Sequence, residues 1–288
     1  MNTQRGSELE RLAELGWSVN ELPRTAEGVY VLGDPLAVNY PEGGLAAIGL
    51  DGGRGYWFDH RAREVLAALE ATTDARSIWD IGAGGGSMSL RFARAGFDVV
   101  SVEPLMEGAT AIAEMECSDV FCGSLTDLHL PADSIRVIGL FDVIEHLDDP
   151  GALMAESVRV LEPSGVVVVT VPAFQALWSN SDEVAGHQRR YSRKELDAFM
   201  ESCGLRRLVS KYLFASLLAP AVALRTIPYR VGRRRSTEQV LAATAKRLAP
   251  NPRVDAAADR LLRAESALAR HVPLPGGLSV LGVYGQGS

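Results

Sequence analysis

The chain has 288 residues, a formal net charge of -7 and 47% apolar residues. That length allows one large domain or a domain with an appendage, and the apolar share is ordinary for a globular protein. An acidic chain lacks the electropositive surface that general adhesion to nucleic acid needs, so no nucleic-acid partner is expected.

Three cysteines, Cys117, Cys122 and Cys203, show no paired metal spacing and no disulfide framework. They read as small buried apolar side chains in a reducing, cytoplasmic compartment. Met1 to Gly6 carries no apolar run, so no signal peptide is expected. Ser7 to Leu15 has helical spacing through Leu9, Leu12 and Leu15. Gly28 to Ala47 is rich in Gly and Pro. Residues 1–54 therefore form either a flap over the site or a surface arm, and both readings stand. The aromatic cluster Tyr56-Trp57-Phe58 opens a helix that runs to about Glu70.

The next stretch organises the chain. Ser77 to Ile81 reads as a short buried strand, Gly82-x-Gly84-x-Gly86 as a tight turn, and Ser87 to Ala95 as a helix. Glycines let backbone turn sharply and approach a ligand without a Cβ in the way. The first helical N–H groups then face whatever sits on the turn. A dinucleotide fingerprint needs Gly at the sixth position of the motif; here that residue is Ser87. Asp80, two places before the first glycine, is badly placed for a pyrophosphate but suits an ammonium or sulfonium ligand. Glu103, at the end of the next strand (Asp98 to Glu103), can accept both hydroxyls of a ribose.

Together Asp80, Gly82-x-Gly84-x-Gly86 and Glu103 resemble the class I S-adenosylmethionine-dependent methyltransferases. The resemblance extends over roughly residues 55–215. It implies a cofactor site built from Asp80, Gly82, Ala83, Gly84, Glu103, Pro104, Ser124 and Leu125, with Asp142 also facing the cofactor. Pro104-Leu105-Met106 would flank the adenine. Related enzymes usually carry an aspartate where Ser124 stands, a departure that leaves only a hydroxyl there and the backbone of Leu125 beside it.

Ile135 to Leu140 is a further strand, and the loop Phe141-Asp142-Val143-Ile144-Glu145-His146-Leu147 at its carboxyl end resembles a segment of small-molecule methyltransferases, including those of quinone biosynthesis. His146 is the expected general base, since neutral imidazole near pH 7 can take a hydroxyl proton. No metal is assigned. An alternative reads Asp142, Glu145 and His146 as ligands to a divalent cation, with no evident fourth ligand.

Asp149-Pro150 starts a helix to about Leu161, and Val166 to Val171 is a strand buried on both faces. Residues 172–191 should form a lid or wall over an acceptor pocket. There Phe174 and Trp178, with Trp57, offer apolar surface to a substrate, and His187 and Tyr191 stand second to His146 as catalytic candidates. Arg189 or Arg190 is expected to tie the lid to Asp182 or Glu183. Ser192 to Cys203 reads as a capped helix and Leu205 to Leu213 as the sixth strand.

Residues 212–235 combine an apolar run with Arg225, Arg230, Arg233, Arg234 and Arg235. This is either a weak membrane-surface contact or a segment packed on the core or on a second copy in a homodimer. Two amphipathic helices, Ser236 to Leu248 and Pro252 to Arg270, precede a last strand, Leu278 to Tyr284.

The expected fold is α/β: a seven-stranded, mostly parallel, Rossmann-like sheet with helices on both faces. Its last strand is antiparallel. Residues 55–288 make the methyltransferase domain, with a helical insertion at about 214–272. The expected activity is methyl transfer from S-adenosylmethionine to a small, lipophilic or aromatic acceptor, with oxygen the first choice of atom. Transfer to nitrogen or carbon and a metal-assisted reaction are the alternatives. An NAD-binding oxidoreductase and a non-catalytic binding protein are more distant ones, and Asp80, Glu103 and the missing sixth glycine speak against them.

Overall fold

A computed structural model describes residues 7–33, 53, 55–249 and 251–287. The proposed flap over Gly28 to Ala47 falls largely outside these residues.

One sheet dominates. Its strands are β1 (Tyr30–Val31), β2 (Ser77–Ile81), β3 (Asp98–Glu103), β4 (Asp119–Cys122), β5 (Ile135–Phe141), β6 (Leu161–Pro172), β7 (Leu205–Leu213) and β8 (Ser279–Gln286). They lie in the order β1-β4-β3-β2-β5-β6-β8-β7. β1 to β6 are parallel, while β8 runs antiparallel to both β6 and β7. Among the described residues the sheet has eight strands rather than seven. The extra one is the two-residue β1, which the N-terminal arm adds beside β4. Two residues carry no readable alternation, and their pairing depends on Leu32 N–H donating to the Cys122 carbonyl at 2.9 Å.

The valine run explains the middle of the sheet. Val166 and Val168 point into one hydrophobic layer, and Val167 and Val169 into the other. All four are essentially inaccessible to solvent. Ile78 and Trp79 divide in the same way on β2. A strand apolar at every position can only be satisfied by helices on both faces. Each such side chain contributes roughly 1.5–3 kcal/mol on burial.

The helices follow their end signals. α1 (Ser7–Glu14) buries Leu12 against the sheet, and Glu8 accepts from Trp79 Nε1 at 3.1 Å. α2 (Tyr56–Glu70), α3 (Ser87–Arg94), α4 (Met106–Glu114) and α5 (Gly151–Val160) connect the strands. α6 (Asn180–Ala185) and α7 (Arg193–Ser202) each begin on a reciprocal capping box, from Ser179 with Asp182 and from Ser192 with Glu195.

Between β7 and β8 the chain is helical. Residues 215–230 form an irregular run of short 3-10, α and π turns. α8 (Thr237–Leu248) and α9 (Pro252–Ala269) follow. α9 docks on α2. Leu262 is fully buried there, Arg63 pairs with Asp259 at 3.0 Å, and Ser266 Oγ donates to Glu64 at 2.5 Å. The same docking buries His60. It lies edge-on to Phe214 at 4.8 Å, and burial pushes its pKa down to about 4. Among the described residues no helix is long and apolar enough to cross a membrane.

In the arginine-rich segment, Leu224, Ile227 and Val231 are exposed. Arg234 reaches Glu183 at 2.8 Å, and Arg230 donates to the Ala176 carbonyl at 2.8 Å, so part of the basic run is tied to the lid.

Candidate active site

The carboxyl ends of β2 to β6 meet on one side of the sheet, where open α/β folds place their ligands. The glycine turn follows β2. Gly82, Gly84 and Gly86 all have positive φ, at 70, 58 and 74°. A Cβ on Gly82 would stand 2.8 Å from Val143 Cγ2, and one on Gly86 would stand 2.9 Å from Ile112 Cγ1. The turn is thus closed to any other residue on both backbone and steric grounds. Gly82 N–H and Ala83 N–H donate to the Val102 carbonyl at 2.8 and 3.2 Å, which locks the turn to β3.

Two buried carboxylates face this turn. Asp80 is 1% exposed and accepts from Ser89 Oγ at 2.6 Å. Burial pushes its pKa up to about 6, against the pull of that hydroxyl. The Ser101 hydroxyl lies 2.9 Å from both Ser89 and Ser118, so Asp80 ends a chain of hydroxyls that sequence reasoning did not find. Glu103 accepts from Gly84 N–H at 2.7 Å and from Leu105 N–H at 3.0 Å. Burial raises its pKa to about 7. The two N–H groups oppose that rise, and Asp80 adds to it. The set is a cradle of turned backbone and acceptor oxygens, which fits a cationic, hydroxyl-bearing ligand such as S-adenosylmethionine.

At the end of β4, Ser124 is not an open acceptor. Its hydroxyl and its N–H both donate to Asp127 Oδ2, at 2.6 and 2.9 Å. The Ser-x-x-Asp spacing was the available signal, and it brings an aspartate to this turn from three residues on. The Leu125 side chain is fully buried, so only its backbone can face a ligand.

Asp142 ends β5 with φ at 58°, a left-handed conformation unusual for a residue with a side chain. Arg61 Nη2 holds its carboxylate at 2.6 Å, and Thr170 Oγ1 donates to it at 3.1 Å. Asp142 is therefore committed to α2 and β6, and does not join Glu145 and His146. Arg61, far off in the chain on α2, lies in no motif that would have selected it.

Glu145, His146 and His187 do come together. Their ligand-type atoms all lie within 4.8 Å of one another. The imidazoles of His146 and His187 stand edge to face at 4.8 Å. Gln188 N–H donates to the Glu145 carbonyl at 2.7 Å, which ties the two loops. Glu145 is fully buried, and neither of its carboxylate oxygens has a hydrogen-bond partner. Burial first, and then Asp142, hold its pKa well above the carboxylate range, while Arg61 and Arg190 act the other way. Burial and the neighbouring His187 push His146 down to about 4.

His187 is oriented from behind, with Nδ1 2.9 Å from Asp182 Oδ1. Arg190 Nε donates to the same oxygen at 2.7 Å. Burial alone would raise the Asp182 carboxyl, but His187 and Arg190 override it and hold it down to about 2. Of the two candidate ties in the lid, Arg190 reaches Asp182. Arg189 instead donates to the carbonyls of Leu147 and Asp148, at 3.0 and 2.7 Å. Tyr191 is almost fully buried beside this cluster, its hydroxyl has no hydrogen-bond partner, and burial raises its pKa.

The three aromatic candidates do not form one wall. Trp57 stacks face to face on Phe214 at 3.8 Å, while Phe174, also at positive φ, stacks on Tyr212 at 4.9 Å. The two pairs flank the end of β7, and Trp178 follows the 3-10 turn after Phe174.

A family model described as a methyltransferase domain matches residues 55–210. The chain belongs to this family. It resembles a probable S-adenosylmethionine-dependent methyltransferase of Mycolicibacterium smegmatis, with 30% identity over 154 residues, covering 52% of this chain and 59% of that protein. A second relative, from Mycobacterium tuberculosis and of the same description, is 32% identical over 121 residues, or 41% of this chain and 43% of its own. A ubiquinone biosynthesis O-methyltransferase of Psychrobacter cryohalolentis is 29% identical over 103 residues, or 33% of this chain and 40% of its own. The chain thus spans about half the length of the curated relatives it matches.

Among solved structures, a candidate sarcosine dimethylglycine methyltransferase of Galdieria sulphuraria superposes with a TM-score of 0.52 at 16% identity. The match covers 84% of this chain and 94% of that one. The cyclase SpnF superposes at 0.50 with 18% identity, over 98% and 95% of the two chains. These two likenesses concern the fold alone. With the family match, the methyltransferase fold carries a class I S-adenosylmethionine-dependent domain, and its cofactor is S-adenosylmethionine.

Proposed function

We propose that the chain methylates a hydroxyl of a small, lipophilic or aromatic acceptor. The observation that carries this reading is the meeting of two built sites at one edge of the sheet. One is the cradle of Asp80, the glycine turn and Glu103; the other is the buried polar cluster of Glu145, His146, His187 and Tyr191.

When bound, S-adenosylmethionine supplies an electrophilic methyl group on a sulfonium. The chain's own contribution is positioning and proton handling. Asp80, Gly82, Ala83 and Gly84 would hold the amino-acid end, Glu103 the ribose, and Pro104 and the Leu125 backbone the adenine. Asp142 would act by fixing the end of β5 through Arg61. Fixing two reactants in line is worth roughly 7–11 kcal/mol of barrier.

His187 is better placed than His146 to take the acceptor's proton. With Nδ1–H donated to Asp182, its other nitrogen is left as an acceptor, the tautomer a base needs. His146 stays neutral beside it, because its pKa is far below 7. Tyr191 would hydrogen-bond the acceptor oxygen. Phe174, Trp178 and Trp57 would supply apolar contact. A general base contributes about 10²- to 10⁴-fold.

The test is methyl transfer from isotopically labelled cofactor to matched panels of phenols, quinols and amines. Transfer to hydroxyl acceptors, lost in His187→Ala while cofactor binding persists, supports the reading. Transfer to amines only, or full turnover by His187→Ala, defeats it.

A further inference from the structure

Among the described residues Glu145 is a buried carboxylate with both oxygens unpartnered. A buried carboxylate normally has hydrogen bonds or a paired charge, because isolating it from water costs several kcal/mol. Here both oxygens lack a hydrogen-bond partner, and burial is complete. One ligand-type atom from each of Glu145, His146 and His187 lies within 4.8 Å of the others. Two imidazoles and one carboxylate this close make a donor set, not a salt bridge.

We propose that Glu145, His146 and His187 bind a divalent transition-metal ion of the Zn²⁺ class. Ligand atoms on a tetrahedral ion with bonds of roughly 2.0–2.2 Å lie about 3.3–3.6 Å apart. Small side-chain rotations from the present spacing reach that. The nitrogen-rich set selects Zn²⁺ or a neighbour such as Co²⁺ over Mg²⁺ or Ca²⁺, which take oxygen ligands.

A further feature suits a metal. His187 is backed by Asp182 at 2.9 Å, and Asp182 in turn by Arg190 at 2.7 Å. A carboxylate behind a ligating imidazole fixes its orientation and raises its basicity. Three protein ligands leave a fourth position for a small molecule.

The inference rests on the proposed function and deepens it. An acceptor hydroxyl at the open position would be acidified by the ion and would release its proton to solvent as its oxygen takes the methyl group; His187 is then a ligand, and it takes the proton itself only in the metal-free chain.

The full chain, freed of metal by chelation and dialysis, is titrated with Co²⁺, then with Zn²⁺ and Mg²⁺ in separate runs. We expect one equivalent of Co²⁺ to give the intense visible bands of a low-coordinate site, Zn²⁺ to abolish them by displacement, and Mg²⁺ to have no effect. Glu145→Gln, which keeps side-chain shape, and His187→Ala should abolish the bands. Asp182→Asn should weaken binding about 10- to 100-fold. Only the weak spectrum of hydrated Co²⁺ in the unaltered chain would overturn the proposal, and so would bands that persist in both Glu145→Gln and His187→Ala. The spectrum of the unaltered chain decides even if a variant fails to fold. Binding of the demethylated cofactor is measured in parallel: its absence would defeat the methyltransferase reading whatever the metal result.

Discussion

The Arg61 guanidinium meets the Asp142 carboxylate at 2.6 Å, across the gap between α2 and the carboxyl end of β5. Asp142 holds φ at 58°, a conformation with a local cost of about 1–3 kcal/mol that its surroundings must maintain. The Arg61 side chain is only 8% exposed and that of Asp142 31%, so solvent screens the pair on one side only. Removing the guanidinium leaves a partly buried carboxylate with one remaining side-chain donor, Thr170. We predict that Arg61→Ala lowers the unfolding free energy by about 1–3 kcal/mol in denaturant titration. Arg61→Lys should recover part of that loss.

Gly82 cannot be replaced without strain. Gly82→Ala adds a Cβ 2.8 Å from Val143 at a backbone φ of 70°. The expected cost is about 1–3 kcal/mol of stability. Because the same shift moves the turn, binding of the demethylated cofactor should weaken by more than tenfold in calorimetry. Gly96, with positive φ but nothing near its Cβ, is the control. Gly96→Ala should cost stability without changing cofactor affinity.

Acid titration separates the carboxylates by sign. Asp182 is held down to about 2, so its share of stability is present above the unfolded carboxyl pKa of about 4 and is lost as pH falls toward 2. Asp80 and Glu103 are raised to about 6 and 7 in the absence of cofactor, so the folded chain binds their protons more tightly than the unfolded chain does. Stability should therefore fall as pH rises from about 4 to 7 on their account. Glu103→Gln should flatten the upper part of that window in thermal melts at stepped pH. Asp182→Asn should flatten the lower window, and it should also shift the acid limb of the pH–rate profile if His187 carries the proton.

The pair of buried residues under the glycine turn offers a milder test. Ser89→Ala removes the one side-chain donor to Asp80 among the described residues. The Asp80 carboxyl should then titrate at still higher pH, and cofactor affinity at pH 6 should fall more than at pH 8.

What was legible in the sequence was local. The glycine turn declares itself because three glycines at alternate positions serve one short stretch of backbone, and Asp80 and Glu103 sit at fixed offsets from strand ends. The valine run of β6 declares a doubly covered strand for the same reason. The cap at Ser192 was readable from spacing alone, and its capping box formed. Partnerships set by packing were not readable. Arg61 finds Asp142, and α9 covers His60, only because distant segments dock. The arrival of His187 beside Glu145 and His146 depends on the lid returning across the sheet, and the five-residue separation of Asp182 and His187 spans a helix end whose turn at Gly186 sets their geometry. The two-residue β1 and the irregular run at 215–230 have too little periodicity to read.

Cofactor binding by the cradle is tested most directly by one calorimetric titration of the full chain with S-adenosylmethionine and with its demethylated product, NAD serving as the control. The prediction is binding of one equivalent of each at micromolar concentration, no heat with NAD, and loss of binding in Glu103→Ala with the fold intact. No binding of either compound, or binding unchanged by Glu103→Ala, would contradict the assignment of the cradle.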